Sequence, residues 1–543
     1  MTSATDFPLP PDIGDEFWQW DKLHCPRPQT PMTQSLVLPG WTSGFTRAMD
    51  EWSSPFGVDG RLINYYWYMH GMPLSSPDET PEQRAAKYRQ TIDKIVPQVG
   101  RLWQEEWQPS IIPALEKART LDYAAMSDTE LLEKLQELYE DMVYRCVIHG
   151  RINYMTAAAS LYADFYNETF SPDDPTEPYQ ALQGFVTKSV EAGNGLWRLS
   201  RRVRNDPSLR RAFESLAPGE LLPALEKSDA GRAFLAELRA YLDEFGWSSD
   251  VFELAEPTWR ENPAIPLNAI QGYLFLGDEH DPANQFAQSV KQRNALLARA
   301  RERLQSDPAK LEHFEALYDA AHLFLNVTED HNYYIDQIGN TVMRLPILEL
   351  GARLAARGAI AVRDDVFLLY VPELGEGLAG KDFRQLVAQR RAEMERFARV
   401  VPPPIIGTPP ALSDDPFEQG LFVKMFGIPP EPSRDPSVIN GIPASAGTVQ
   451  ARAKVVRNLS EASKLEPGDI LVCEMTMPPW TPLFSTVSAV VADTGGILSH
   501  CAIVAREYRI PCVVGTAVGT AVIKDGMTLT VDGSKGIVRI DSA

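Results

Sequence analysis

Nothing before residue 400 offers a strand followed by a glycine cluster that cradles phosphates, and the motif G-x-x-x-x-G-K-[ST] does not occur. A nucleotide site of that kind is therefore not expected. Cysteine is sparse and scattered: Cys25, Cys146, Cys473, Cys501 and Cys512 form no C-x-x-C pair, which argues against a zinc site and a disulfide framework. No metal site is expected. Positive charge is short as well, with 52 Lys and Arg against 73 Asp and Glu, a net charge of −21. That balance opposes binding to nucleic acid and to an anionic membrane surface. No run approaches 18 uninterrupted apolar residues, and Met1–Asp6 has neither a basic nor an apolar leader region. The expectation is a soluble protein of the reducing cytoplasm.

At 543 residues the chain is too long for one core. Its composition changes along its length, and the expected fold class is α plus α/β: a large, mostly helical domain over 1–400, a Pro-rich linker over 401–439 and a small α/β domain over 440–543. Ser127-Asp128-Thr129-Glu130 is a capping box, followed by Leu131, Leu135, Leu138 and Met142 at helical spacing. Phe286 to Leu304 and Phe383 to Val400 are further helix candidates. Ten prolines then fall between Val401 and Asn440, which predicts a semi-rigid extended connector. After it, short β-branched runs alternate with turn signals.

Within the last part, Gly495-Gly496 leads through Ile497-Leu498-Ser499 to His500, and Cys501 to Glu507 reads as the first turns of a helix. A histidine there meets unpaired backbone N–H groups and the positive end of the helix dipole, both suited to an attached anion. Imidazole is a neutral nucleophile near pH 7. The alternative is a histidine that only caps its helix. The flanking runs Ala489-Val490-Val491-Ala492-Asp493 and Ile510-Pro511-Cys512-Val513-Val514 read as buried strands and favour the chemical reading.

From roughly Asn440 to Ile540 the motifs resemble the phosphohistidine domain of the phosphoenolpyruvate-utilising enzymes. Gly441 to Gly447 resembles the opening turn, Pro467-Gly468-Asp469-Ile470-Leu471-Val472 the central strand, and Lys524-Asp525-Gly526 with Val531-Asp532-Gly533 the closing hairpin. Leu498 stands where regulated members carry Thr, so phosphorylation at that position is not expected. Trp20, Asp21, His24 and Pro26 to Pro31, then Glu256 to Pro263, then Asp364 to Leu369 with Glu373-Leu374, resemble a region shared by members that do not act on pyruvate. Phe245 to Asp250 stands where relatives often have Gly-His-Arg, which implies a differently shaped pocket.

The resemblance implies a swivelling phosphohistidine domain with His500 as carrier and Gly495, Gly496, Ser499 and Arg506 around the phosphoryl group. No part of the sequence reads as an ATP-grasp module or a phosphoenolpyruvate-binding barrel. The layout is similar to the phosphohistidine subunit of phenylphosphate synthase and 4-hydroxyphenyl ketone kinases, and to rifampicin phosphotransferase. In that layout ATP and Mg²⁺ sit on an ATP-grasp-type partner subunit, the products from ATP are AMP and phosphate, and a phenolic hydroxyl accepts the group. An antibiotic or another small alcohol is the alternative acceptor, and a phosphocarrier serving another protein the alternative role.

For the acceptor side, Glu329-Asp330-His331-Asn332-Tyr333-Tyr334-Ile335-Asp336 is a dense polar cluster between Phe324-Leu325 and the apolar Ile335 and Ile338, with His331 as base and an Asp or Glu to orient it. A solvated helix face is the other reading. His24 and Arg27 are candidate substrate-binding residues. The aromatic run Tyr65 to His70 suits either core packing or an aryl pocket.

Overall fold

The computed structural model describes residues 7–249, 251–409 and 419–542. The readings made on Met1–Asp6, Asp250, Pro410 and Pro416 fall outside them. The chain forms two units: Met1–Tyr154, Val251–Glu256 and Tyr334–Leu412 make the first, and Met155–Asp250, Pro257–Tyr333 and Ser413–Ala543 the second. Among the described residues no helix is long and apolar enough to cross a membrane.

The first unit pairs the helix Pro31–Glu51 with the helix Asp128–Asn153. The second of these starts at the expected box, Ser127 and Glu130 capping each other's backbone. Their close approach needs Gly44, where a Cβ would lie 2.4 Å from that of Cys146. The unit also contains a sheet the sequence did not announce. Strands β1 (Trp18–Trp20), β2 (Phe56–Ile63), β3 (Tyr66–Pro73) and β4 (Ile405–Ile406) run antiparallel in the order β2-β3-β1-β4. The turn between β2 and β3 has Asn64 and Tyr65 at φ 51° and 70°, the geometry of a type I′ hairpin without its usual glycine. The aromatic run is thus a strand, and Tyr66 and Tyr68 pack with Phe7, Trp18, Trp20 and Phe397. Core packing, not an aryl pocket, accounts for them. Gly375, Gly377 and Gly380 have the spacing G-x-G-x-x-G, but they lie within and just after the helix Val371–Leu378, not in a strand-to-helix turn.

In the second unit the helices include Thr156–Phe170, Lys188–Arg204, Asp229–Phe245, Pro282–Leu304 and Pro308–His331. Its sheet has eight strands: β5 (Val438–Asn440), β6 (Ile442–Ser445), β7 (Thr448–Val455), β8 (Ile470–Cys473), β9 (Ala489–Ala492), β10 (Cys512–Val514), β11 (Thr528–Asp532) and β12 (Ile537–Ser542). The order is β5-β12-β11-β7-β8-β9-β10-β6, with β7, β8, β9 and β10 parallel. Every residue of β8, β9 and β10 is buried, which is why they read as unbroken apolar runs.

The expected linker is not a free rod in its described parts. Ile405–Ile406 is the edge strand β4, paired with β1. Gln419–Gly427 is helical and lies on the helix Thr156–Phe170: a Cβ on Gly420 would sit 2.5 Å from the Thr156 carbonyl oxygen, and Lys424 Nζ reaches Ser160 Oγ at 2.7 Å and Asp164 Oδ1 at 2.8 Å. No proline interrupts Gln419–Gly427, so this stretch is free to wind and bury Leu421.

Candidate active site

His500 is the first residue of an eight-residue helix, His500–Glu507, capped by Ser499 in extended conformation (φ −67°, ψ 156°). The helix is shorter than a surface helix of average length, and all of Cys501 to Glu507 is buried. Its N-terminus therefore holds His500 at a fixed point between the sheet and the helices of the same unit.

Three side chains meet the imidazole. Thr476 Oγ1 lies 3.1 Å from Nδ1, Thr481 Oγ1 lies 3.4 Å from Nε2, and Glu329 Oε2 stands 3.9 Å from Nε2. Burial lowers the pKa of the ring to about 3, only partly offset by a hydrogen bond to the Thr476 backbone. A carbonyl only accepts, so that bond needs a ring N–H. With Nδ1 facing Thr476, the lone pair is left on Nε2, on the side of Glu329.

Glu329, on the helix Pro308–His331, is buried too, and burial raises its pKa to about 8, with the neighbouring Asp330 adding to the rise and Ser189 opposing it. Ser189 Oγ donates to Glu329 Oε2 at 3.4 Å. Asp330 accepts the N–H of Lys188 at 3.1 Å, and burial raises its pKa to about 6. A neutral imidazole thus faces a carboxyl that ionises only above neutrality. The pair can accept a group at Nε2 and take a proton beside it.

The residues expected around the phosphoryl group are placed differently. Gly495 has φ +94°, and a Cβ on Gly496 would lie 2.3 Å from the Lys424 carbonyl oxygen. The Gly496 and Leu498 N–H groups donate to the carbonyls of Met425 and Lys424. The glycines admit the Gln419–Gly427 segment, not an anion. Ser499 Oγ donates to Gly496 O at 2.7 Å and closes its own turn. Arg506 is in the last turn of the helix, buried, with Nη1 on Ala444 O at 2.8 Å and its guanidinium over the Tyr179 ring. It ties helix to sheet at the end away from His500.

The acceptor cluster also rearranges. Glu329 is turned to His500 and Asp330 to the Lys188 amide, while His331 Nδ1 lies 3.1 Å from Val327 O one turn back in its own helix. Glu329, not His331, is the residue of this cluster that lies beside His500. His24 and Arg27 belong to the first unit: His24 Nδ1 is 2.9 Å from Asp21 Oδ2, and Arg27 Nη1 is 3.9 Å from Glu256 Oε2. Thr476, Thr481 and Ser189 went unnoticed in the sequence. The dense prolines of Thr476-Met477-Pro478-Pro479-Trp480-Thr481-Pro482 were the available signal, since they force a tight 3₁₀ winding that points side chains inward.

A mixed sheet with four parallel strands carries a histidine at a helix start, and a helix of the same unit offers it a buried carboxyl. Residues 465–536 match the family described as PEP-utilising enzyme, mobile domain, and residues 149–329 match the rifampicin phosphotransferase fourth domain. The chain is thus similar to PEP-utilising phosphotransferases, in the layout of rifampicin phosphotransferase. It is 34% identical to chondramide synthase of Chondromyces crocatus over 99% of this chain and 14% of that protein. It is 30% identical to an uncharacterized phosphotransferase of Bacillus subtilis over 98% of this chain and 62% of the relative. A rifampicin phosphotransferase of Streptomyces sviceus is 28% identical over 77% of this chain and 48% of its own length. The chain thus spans less than two thirds of each of these relatives.

Proposed function

We propose that this chain carries a phosphoryl group on His500 and delivers it to a phenolic hydroxyl, forming an aryl phosphate in the cytoplasm. ATP and Mg²⁺ are held by an ATP-grasp-type partner subunit. The observation that carries this reading is the pairing of a neutral His500 Nε2 with the Glu329 carboxyl at 3.9 Å. In the first half-reaction the Nε2 lone pair forms an N–P bond as the donor P–O bond breaks. In the second, the acceptor oxygen attacks phosphorus, its proton passes to ionised Glu329, and the N–P electron pair returns to Nε2. Burial helps both halves, because it keeps imidazole neutral and makes the carboxylate a stronger base.

A small-alcohol acceptor, such as an antibiotic, is the second reading. The match of residues 149–329 to the rifampicin phosphotransferase fourth domain supports it. One experiment separates the two. The chain is mixed with an ATP-grasp partner, labelled ATP and either phenols or rifamycin-type alcohols. An acid-labile label on His500 that moves only to phenols supports the first reading, and movement only to the alcohol supports the second. No label on His500 overturns both.

A further inference from the structure

The helix that begins with the nucleophile ends with a carboxylate that the chemistry above does not use. Glu507 is buried, and both its oxygens accept the backbone N–H of Gly184, at 2.9 Å and 3.3 Å. Gly184 lies in the turn before the helix Lys188–Arg204, at φ +81°, with Val290 so close that a Cβ would meet it at 2.8 Å. Arg293 holds the other side of that turn, donating from Nη1 to Gln183 O at 3.1 Å and Gly184 O at 2.9 Å. Ser289 Oγ donates to the Glu507 carbonyl at 3.2 Å. Val290 and Arg293 thus hold the turn from other sides, and the Gly184 N–H points at the carboxyl of Glu507.

We infer that Glu507 is the latch that seats the His500–Glu507 helix on the Gly184 turn, and that this contact sets the distance between His500 and Glu329. The helix makes the coupling rigid: seven residues at about 1.5 Å each separate latch and nucleophile by roughly 10 Å. A slip at Glu507 is carried undamped to Nε2, where about 1 Å of misplacement is costly. Glu507 is a positioning residue and touches no reacting atom. Its role rests on the reading of His500 given above only in what it positions; the contact itself does not depend on phosphotransfer.

Titration agrees with this geometry. Burial raises the Glu507 pKa to about 7, opposed by the Gly184 N–H and by the Arg506 and Arg293 charges. A carboxyl raised in the seated state binds a proton more readily when seated than when released. Seating is therefore firmest below the ordinary carboxyl range and weakens as pH rises through about 7.

The test uses the full chain without ATP or partner. Hydrogen exchange is followed at the Gly184 amide, and carbethoxylation of His500 by diethyl pyrocarbonate reports how far the ring is uncovered. Glu507→Ala is expected to speed both by about tenfold, the loss of one buried hydrogen bond. Glu507→Gln keeps an acceptor oxygen and should recover most of the protection while removing its pH dependence near 7. Ser289→Ala should give a smaller rise. Protection of β8 and β9 serves as the folding control. If Glu507→Ala loses that protection, the Gln and Ser289 variants decide. Unchanged exchange at Gly184 and unchanged His500 reactivity in the variants that fold overturn the latch, whether or not His500 carries phosphate.

Discussion

Two histidine–carboxylate neighbours in this molecule have opposite electrostatic fates. In the first unit, His24 Nδ1 lies 3.0 Å and 2.9 Å from the two oxygens of Asp21. Burial works against its charge, but the Asp21 charge and hydrogen bond outweigh it, Asp336 adds to them, and the net pKa is raised. In the second unit, His500 Nε2 stands 3.9 Å from Glu329. Burial drives the ring down to about 3 and the carboxyl up to about 8. Direct hydrogen bonds favour the charged form of His24. A gap of about 1 Å more leaves both members of the second neutral, because neither charge repays its own desolvation. The close pair closes its own turn, and the separated pair is the one proposed to react.

Replacing His500 should have the largest effect on that contrast. His500→Asn is expected to abolish an acid-labile phosphoryl label and all turnover while costing no more than about 1–3 kcal/mol in urea unfolding, as for a buried side chain that loses a hydrogen bond. Retained label in that variant would remove the carrier role. Glu329→Gln comes next. Transfer from phosphorylated His500 to a phenol should fall by about 10²–10⁴-fold, the usual share of a general base, with labelling preserved. In the parent, only ionised Glu329 accepts the proton, so transfer should rise with pH and level off above about 8. That rise should vanish in the variant. A pH profile identical in parent and variant would take the base role from Glu329.

Thr476→Val probes the tautomer with a smaller effect. Losing the hydroxyl 3.1 Å from Nδ1 should slow labelling by about tenfold, the worth of one hydrogen bond, and Thr476→Ser should restore it. Equal rates in Val and Ser variants would leave the backbone carbonyl as the whole anchor.

The smallest effect on chemistry is expected from the close pair. Asp21→Asn should leave His500 labelling unchanged but cost about 1–3 kcal/mol of stability, measured by urea unfolding. The sign with pH follows from the raised His24 pKa. The stabilisation is complete below the ordinary histidine value of about 6.5 and is lost as pH rises through the raised one. A transfer defect in Asp21→Asn without a stability change would reassign this pair to the reaction.

How far the sequence could be read depended on whether the cause was local. The capping box at Ser127, the parallel strands β8, β9 and β10 and the start of the His500 helix all rest on spacing within a few residues, and each was legible. The N-terminal sheet was not, because β1 and β4 are nearly 400 residues apart and each is too short to show a period. The Gly-Gly pair was read for the right residues and the wrong neighbour: its backbone approaches the Gln419–Gly427 segment, some 70 residues earlier.

The sequence by itself determined that His500 opens a short helix beside buried parallel strands, since glycine, helix start and apolar runs are written within one stretch of chain. Only the tertiary structure decided what faces that histidine. Thr476, Glu329 and Ser189 come from separate elements, and Glu329 gains its base character from burial, which no spacing encodes. Desolvation is a property of the surrounding packing, so chemistry that depends on it is settled only when the chain has folded.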